Sequence, residues 1–275
     1  MKKLAAFVVV IAGLAGTPGL AADMAVKAPP PAPVAPVTNW TGFYVGAQVG
    51  GASLDPSCST TNPVGIEDNY GPCGPSFQTV DSPVTSTNFK ASSAFVGGAK
   101  IGYDWQFWSH AVVGVVGDFD WTHLNANQQE VMTFPGFPGY VFPGSASEQI
   151  DWLASVRGRL GWAFDNVLFY ATGGVAWTQI KFSARETFYA PVGVNDAPFD
   201  WAGQGSSDKT GAVAGGGFEY RVSQNFSVVG ELLWYGFGYT SISVFNPLPG
   251  FGTTFTTQFH DNDILVGTFG ANWRF

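Results

Sequence analysis

The chain has 275 residues, of which 45% are hydrophobic, 16% aromatic and only 12% charged, with 36 glycines and a net charge of −8. Soluble domains carry roughly 25% charged residues and about 7% glycine, and nucleic-acid binding relies on basic patches, so the composition speaks against both classes. Beyond residue 22 no stretch approaches the ~18–20 consecutive apolar residues of a membrane helix, which leaves a closed β-barrel as the way to satisfy backbone polar groups in hydrocarbon.

In chain order, Lys2 and Lys3 precede the apolar run from Leu4 to Leu14, a Gly/Pro break and Leu20-Ala21-Ala22. That is a secretory signal peptide over residues 1–21, with cleavage expected after Ala21 or Ala22. Residues 22–38 contain APPPAPVAPV, which favours extended polyproline and cannot build a core, and reads as a Pro-rich periplasmic leader. Residues 39–275 then alternate strand-like segments with connections. Long connections are expected near 52–92, 124–147, 184–208 and 241–261, and short ones near Phe107–His110, Phe164–Val167 and Val222–Asn225. The expected fold is all-β, an eight-stranded antiparallel transmembrane barrel, its long loops extracellular and both termini periplasmic.

Side chains alternate along a strand, and this assigns faces. Phe43, Val45, Ala47 and Val49 oppose Tyr44 and Gln48; Phe95, Ala99, Ile101, Tyr103 and Trp105 oppose Lys100, Asp104 and Gln106; Val113, Val115, Phe119 and Trp121 oppose Asp118 and Asp120. Trp152, Ala154, Val156, Leu160, Trp162 and Phe164 oppose Asp151, Ser155, Arg157 and Arg159. The fifth strand, Val167–Trp177, is ambiguous. Phe218 and Tyr220 oppose Glu219 and Arg221, Glu231 shares a face with Tyr235, and Leu265, Phe269, Trp273 and Phe275 oppose Thr268, Asn272 and Arg274. Trp105, Trp121, Trp152, Trp162, Trp273 and Phe275 lie near strand ends on the apolar face, where interfacial girdles belong, so that face meets lipid.

The lumen is therefore expected to hold Lys100, Asp104, Asp118, Asp120, Arg157, Arg159, Glu219, Arg221, Glu231 and Arg274, five basic and five acidic groups. Eight strands enclose an interior about filled by its own side chains, so these charges read as an ion-pair network plugging the barrel; a selective polar channel is the alternative. Glycines such as Gly98, Gly102 and Gly114 either make room for bulky lumenal groups or let strands bend. The loops carry an excess of acidic residues, Glu186 and Asp200 among them, read as a solvated loop surface, with an acidic outer rim that binds divalent cations as the alternative. FPGFPGYVFPG (134–144) and FNPLPGFG (245–252) read as Pro/Gly turns with exposed aromatics, contact patches for a host or surface ligand. Cys58 and Cys73 share one loop, as a disulfide or as free thiols.

No phosphate-binding loop, GxSxG or HExxH motif occurs. His110 falls in a turn, and alternation places His123 on the lipid face and His260 on the lumen face, against a shared metal site. No catalytic, cofactor-binding or metal residue is expected, nor a nucleic-acid partner.

NWTGFYVGAQVG (39–50), FVGGAKIGYDWQ (95–106), VVGVVGDFDW (112–121), VRGRLGWAFDNVLFYATGGVAW (156–177) and GGGFEYRV (215–222) resemble the outer-membrane immunogenic, or porin-family, small barrels of alphaproteobacteria, whose barrel is of the OmpA transmembrane type. The resemblance covers residues 22–275 and implies an abundant surface protein with envelope-structural and host-contact roles. It departs at Val116 and Gly236, where the family commonly carries an acidic residue, both read as removing lumenal polarity. Phe269, Trp273 and Phe275 fit the terminal signal read by the barrel-assembly machinery. The expected role is an outer-membrane surface protein with a largely plugged lumen, in contact with outer-membrane lipid and lipopolysaccharide. A small-solute porin and a loop-mediated ligand-binding protein are the alternatives.

Overall fold

In the computed structural model, the described residues are 39–275 apart from 55, 62–83, 89–91, 135–136, 192, 194–198, 246–253 and 261–262. The expected signal peptide and Pro-rich leader lie outside them, as do Cys73 and most of 245–252. Period-2 sequence becomes strand almost throughout. The strands are β1 (Gly42–Leu54), β2 (Ser57–Thr61), β3 (Val84–Asn88), β4 (Ser92–Phe107), β5 (Ala111–Phe134), β6 (Phe137–Phe164), β7 (Val167–Phe188), β8 (Phe199–Arg221), β9 (Phe226–Gly236), β10 (Thr240–Phe245), β11 (Thr254–His260) and β12 (Asp263–Arg274).

Eight of them close a ring. β1 pairs with β4, and β4 through β8 each pair with the next; β8 pairs with β9, β9 with β12 and β12 with β1, all antiparallel. Three tight turns stand at one end of the barrel, between β4 and β5, β6 and β7, and β8 and β9, where short connections were expected. Two of these turns hold a left-handed residue, Trp108 (φ 53°) and Asp165 (φ 48°); Asp tolerates that region better than most side chains.

The other end differs from expectation. Most of 124–147 and 184–208 is strand, with β5 and β6 paired up to Phe134↔Phe137 and β7 and β8 up to Phe188↔Phe199. The segment 137–144 within the supposed Pro/Gly turn runs in β6 against β5. β10, β11, β2 and β3 extend the same sheet beyond the ring, joined to β8 through Phe245↔Ala202. Polar strands pair as well as apolar ones do, and their Asn, Gln and Ser residues gave no strand signal to read.

The inside of the barrel changes along its length. Toward the turn end it is lined by charge. Above that, Leu124, Ile150, Leu153, Ile180, Phe182, Leu233, Phe259 and Ile264 form an apolar core, whereas alternation had implied a polar lumen throughout. The outside inverts in step: Phe43, Ile101, Val115, Leu160, Phe169 and Phe269 are exposed in the lower part, and polar residues take their place above Trp121. An apolar outside over a charged inside suits lipid; the reverse suits water.

Candidate functional site in the barrel lumen

Nine of the ten expected lumenal charges are buried inside the ring; Arg221 is half-exposed at its mouth. They come from six of the eight ring strands, which only closure brings together. β7, ambiguous in the sequence, contributes Tyr170 and Thr172 to the inside and Phe169, Val175 and Trp177 to the outside.

The charges form two layers. In the layer nearer mid-barrel, Lys100 Nζ meets Glu231 Oε2 at 2.5 Å, and Arg157 bridges Glu231 (Nη1–Oε1 3.3 Å) and Asp118 (Nη2–Oδ1 2.7 Å). Ser155 donates to Asp118 at 2.6 Å. Among the described residues no cation forms an ion pair with Asp120; Gln48 Nε2 donates to its two oxygens at 2.7 and 2.9 Å.

The layer nearer the turn end joins Arg159 to Glu219 (2.6 Å) and Asp104 (3.2 Å), and Arg274 to Asp104 (2.8 Å) and Glu219 (3.5 Å). Ser227 donates to Glu219 at 2.6 Å. The Arg159 guanidinium lies 3.6 Å from the Tyr170 ring centroid, and Arg274 lies 4.9 Å from that of Tyr44. Below them Trp40 is fully buried among Val112, Ala163, Leu168, Tyr170 and Val229. Arg221 stacks on the Trp40 ring at 4.5 Å and donates to the Asn39 carbonyl, outside the carboxylate network.

Four cations (Lys100, Arg157, Arg159, Arg274) thus face four carboxylates (Asp104, Asp118, Glu219, Glu231). Arg supplies most of the cations because its planar fork can hold two carboxylates at once. Gly98, Gly102 and Gly114 make the room: an added Cβ would collide with Asp120, Tyr44 and Asp104 respectively. Sequence reasoning did not single out Trp40, Tyr170 or Ser227 as partners of this site. Trp40 precedes β1, and nothing local marks it as a cap.

Several other positions depart from expectation. Paired irregularities between Trp121 and Leu124 on β5 and between Ile150 and Leu153 on β6 turn Asp151 to the outer face, where it meets His123 and Lys181. Gly236 faces outward against Trp234, so it removes nothing from the lumen; Val116 is buried within it. His260 is not lumenal. Phe259 takes the buried face of β11, and His260 Nε2 lies 3.0 Å from Ser59 Oγ. His110, in the expected turn, sits 3.0 Å from the Ala163 carbonyl. Glu186 does not join an outer rim but is buried inside, while Asp200 pairs with Arg185 at 2.6 Å. Cys58 is disulfide-bonded. Phe269, Trp273 and Phe275 are exposed on the apolar face.

Residues 19–275 match the family described as outer membrane protein beta-barrel domain. The 31 kDa outer-membrane immunogenic protein of Brucella melitensis biotype 1 is 29% identical over 236 residues, covering 83% of this chain and 85% of the relative. The 25 kDa outer-membrane immunogenic protein of Brucella abortus biovar 1 is 26% identical over 273 residues, covering 97% and 98%. Among solved structures, OprG from Pseudomonas aeruginosa aligns over 86% of this chain and 97% of its own at 12% identity and a TM-score of 0.46. Ail of Yersinia pestis aligns over 86% and 99% at 15% identity and a TM-score of 0.33. A closed ring with an apolar outside and a charged inside, matched by that family over nearly its whole length, belongs to the outer-membrane β-barrel proteins, beside the immunogenic barrels of Brucella.

Proposed function

We propose that this protein is a non-enzymatic surface barrel with an envelope-structural role, its lumen plugged by its own ion pairs. The carrying observation is the depth of the two charged layers: the side chains of Arg157, Asp118, Asp104 and Glu219 have no exposure at all. An ion or solute crossing this section would have to part buried pairs, and breaking a buried pair strands an uncompensated charge at a cost of about 3–5 kcal/mol.

In this reading the hairpins of β5–β8 stand outside the cell, and the tight turns face the periplasm. The polar outer surface of those hairpins, set on an apolar inner face, supports their placement in water. The exposed apolar edge formed by Phe269, Trp273 and Phe275 serves recognition by the barrel-assembly machinery, and the lower outer face is the contact with membrane lipid.

Planar-bilayer recording of the purified, folded protein tests the plug. The expected trace is flat, without long-lived unitary steps. Stable ion-selective openings would reject the plug in favour of a small porin.

A further inference from the structure

At the level of Trp121, Trp152 and Trp177 the outer face of β5–β8 turns from apolar to polar. Asn125, Asn127, Ser147, Ser183, Gln204 and Ser206 take the outward positions above it, exposed or half-exposed. At the foot of this wall the Asp151 carboxylate accepts hydrogen bonds from Gln149 Nε2 and Lys181 Nζ, each at 2.7 Å, and meets His123 Nδ1 at 3.2 Å. Regular alternation from Ser155 would have sent Asp151 inward. The irregularity in β6 re-aims it, as bulges beside functional sites do.

Fold stability does not account for this arrangement. The side chains are 71% exposed at His123, 51% at Lys181 and 33% at Asp151, and exposed pairs contribute only about 0–1 kcal/mol. What the cluster does supply is a set of oriented groups. Lys181 keeps two N–H donors beyond the one Asp151 takes, His123 keeps its second ring nitrogen, and Gln149 keeps its carbonyl. The indoles of Trp121 and Trp152 lie on the same face immediately below.

Carboxylate, amide, imidazole and ammonium over aromatic rings complement a ring bearing hydroxyls and phosphate. The carboxylate would repel a bare phosphate but accepts hydroxyl protons, while Lys181 meets the anion. We propose that the Asp151–Lys181–His123–Gln149 cluster binds the sugar headgroup of a phosphorylated glycolipid whose acyl chains lie on the apolar face below the tryptophans. This rests on the reading that the β5–β8 hairpins are outside the cell.

The test compares glycolipid retained by folded protein extracted from outer membranes in mild detergent, with purified lipopolysaccharide added back to phosphatidylglycerol nanodiscs as the probe. Asp151→Asn with Lys181→Gln is expected to lower affinity about tenfold, the equivalent of one charge-assisted hydrogen bond at ~1.4 kcal/mol. Arg185→Ala with Asp200→Ala, an exposed pair higher on the same wall, is expected to bind like the parent. Should the first variant not fold, as judged by heat-modifiable migration, His123→Ala with Gln149→Ala carries the same expectation with Asp151 intact. Equal retention by the parent and the cluster variants overturns the proposal, and so does equal loss in the Arg185/Asp200 variant. Labelling of Asn127→Cys on intact cells by an impermeant maleimide reports orientation separately. With labelling present, unchanged retention defeats the glycolipid site alone; without labelling, the orientation falls and the site with it.

Discussion

Arg274 on β12 and Asp104 on β4 meet at 2.8 Å although β1 lies between their strands. The pair spans the lumen-facing side of β1 above Trp40, and Arg274 donates to the Trp40 carbonyl as well. The ring's closing strands are thus tied to each other through the barrel interior, in addition to their backbone ladders.

Removing one member of such a pair leaves its partners buried and uncompensated. Arg157→Met leaves Asp118 without its cation and Glu231 with Lys100 alone, and is expected to destabilise the barrel by about 3–5 kcal/mol. Urea titration of the refolded protein in micelles measures this as a lowered unfolding midpoint. Combining Arg157→Met with Asp118→Asn and Glu231→Gln should cost less than the sum of the single changes, because the groups share one network.

Trp40→Ala removes a fully buried indole at the turn end, where it stacks under Arg221 and beneath Arg274. A loss of about 3–5 kcal/mol is expected for a fully buried Trp. The same titration reads it; a midpoint unchanged from the parent would show that Trp40 does not cap the core.

Two glycines on neighbouring strands give opposite expectations. A Cβ on Gly102 would run into the Tyr44 ring and come within 2.8 Å of the Val115 carbonyl, whereas one on Gly51 meets only the Ala94 carbonyl at 3.7 Å. Gly102→Ala should therefore cost about 1–3 kcal/mol by overpacking, and Gly51→Ala should be near neutral. Thermal midpoints of heat-modifiable migration separate them.

Glu148 and Glu186 lie in the apolar upper interior, where burial pushes each carboxyl from 4.5 up to about 8, with Lys209 pulling Glu148 the other way. Among the described residues neither Glu148 oxygen has a hydrogen-bond partner. A folded value above the unfolded one means that the closed structure holds protons which the opened one releases. Stability of the upper barrel is therefore full below pH ~4.5 and falls as pH rises toward ~8, by about 1.4 kcal/mol per pH unit for each group. Hydrogen exchange of the β6–β7 amides, corrected for intrinsic rates, should show protection lost between pH 5 and 7.5. Glu148→Gln with Glu186→Gln should flatten that dependence.

Below the tryptophans, the order of the ring strands and, the fifth strand apart, their inward faces were readable from residue type. A strand in lipid has only two sides, and Val, Phe and Trp alternating with Lys, Asp and Arg leave one assignment of faces. The tight turns were readable because short polar breaks between such runs admit nothing longer. Which charge meets which was not readable. Lys100 stands opposite Asp118 in the β4–β5 register, yet its ammonium crosses the lumen to Glu231, a choice made by side-chain reach across a closed ring.

The same limit explains Asp151 and His260. Alternation carries a face assignment only while the pleat is unbroken, and an irregularity or a strand break reverses it without a mark in composition. By itself, then, the sequence determined a barrel with lipid outside and charge inside, because burial in hydrocarbon constrains every residue of those strands. Tertiary structure decided the inversion above the tryptophans, the two-layered pairing and the outward turn of Asp151. Those depend on register and on distances across the ring, which exist only once it has closed.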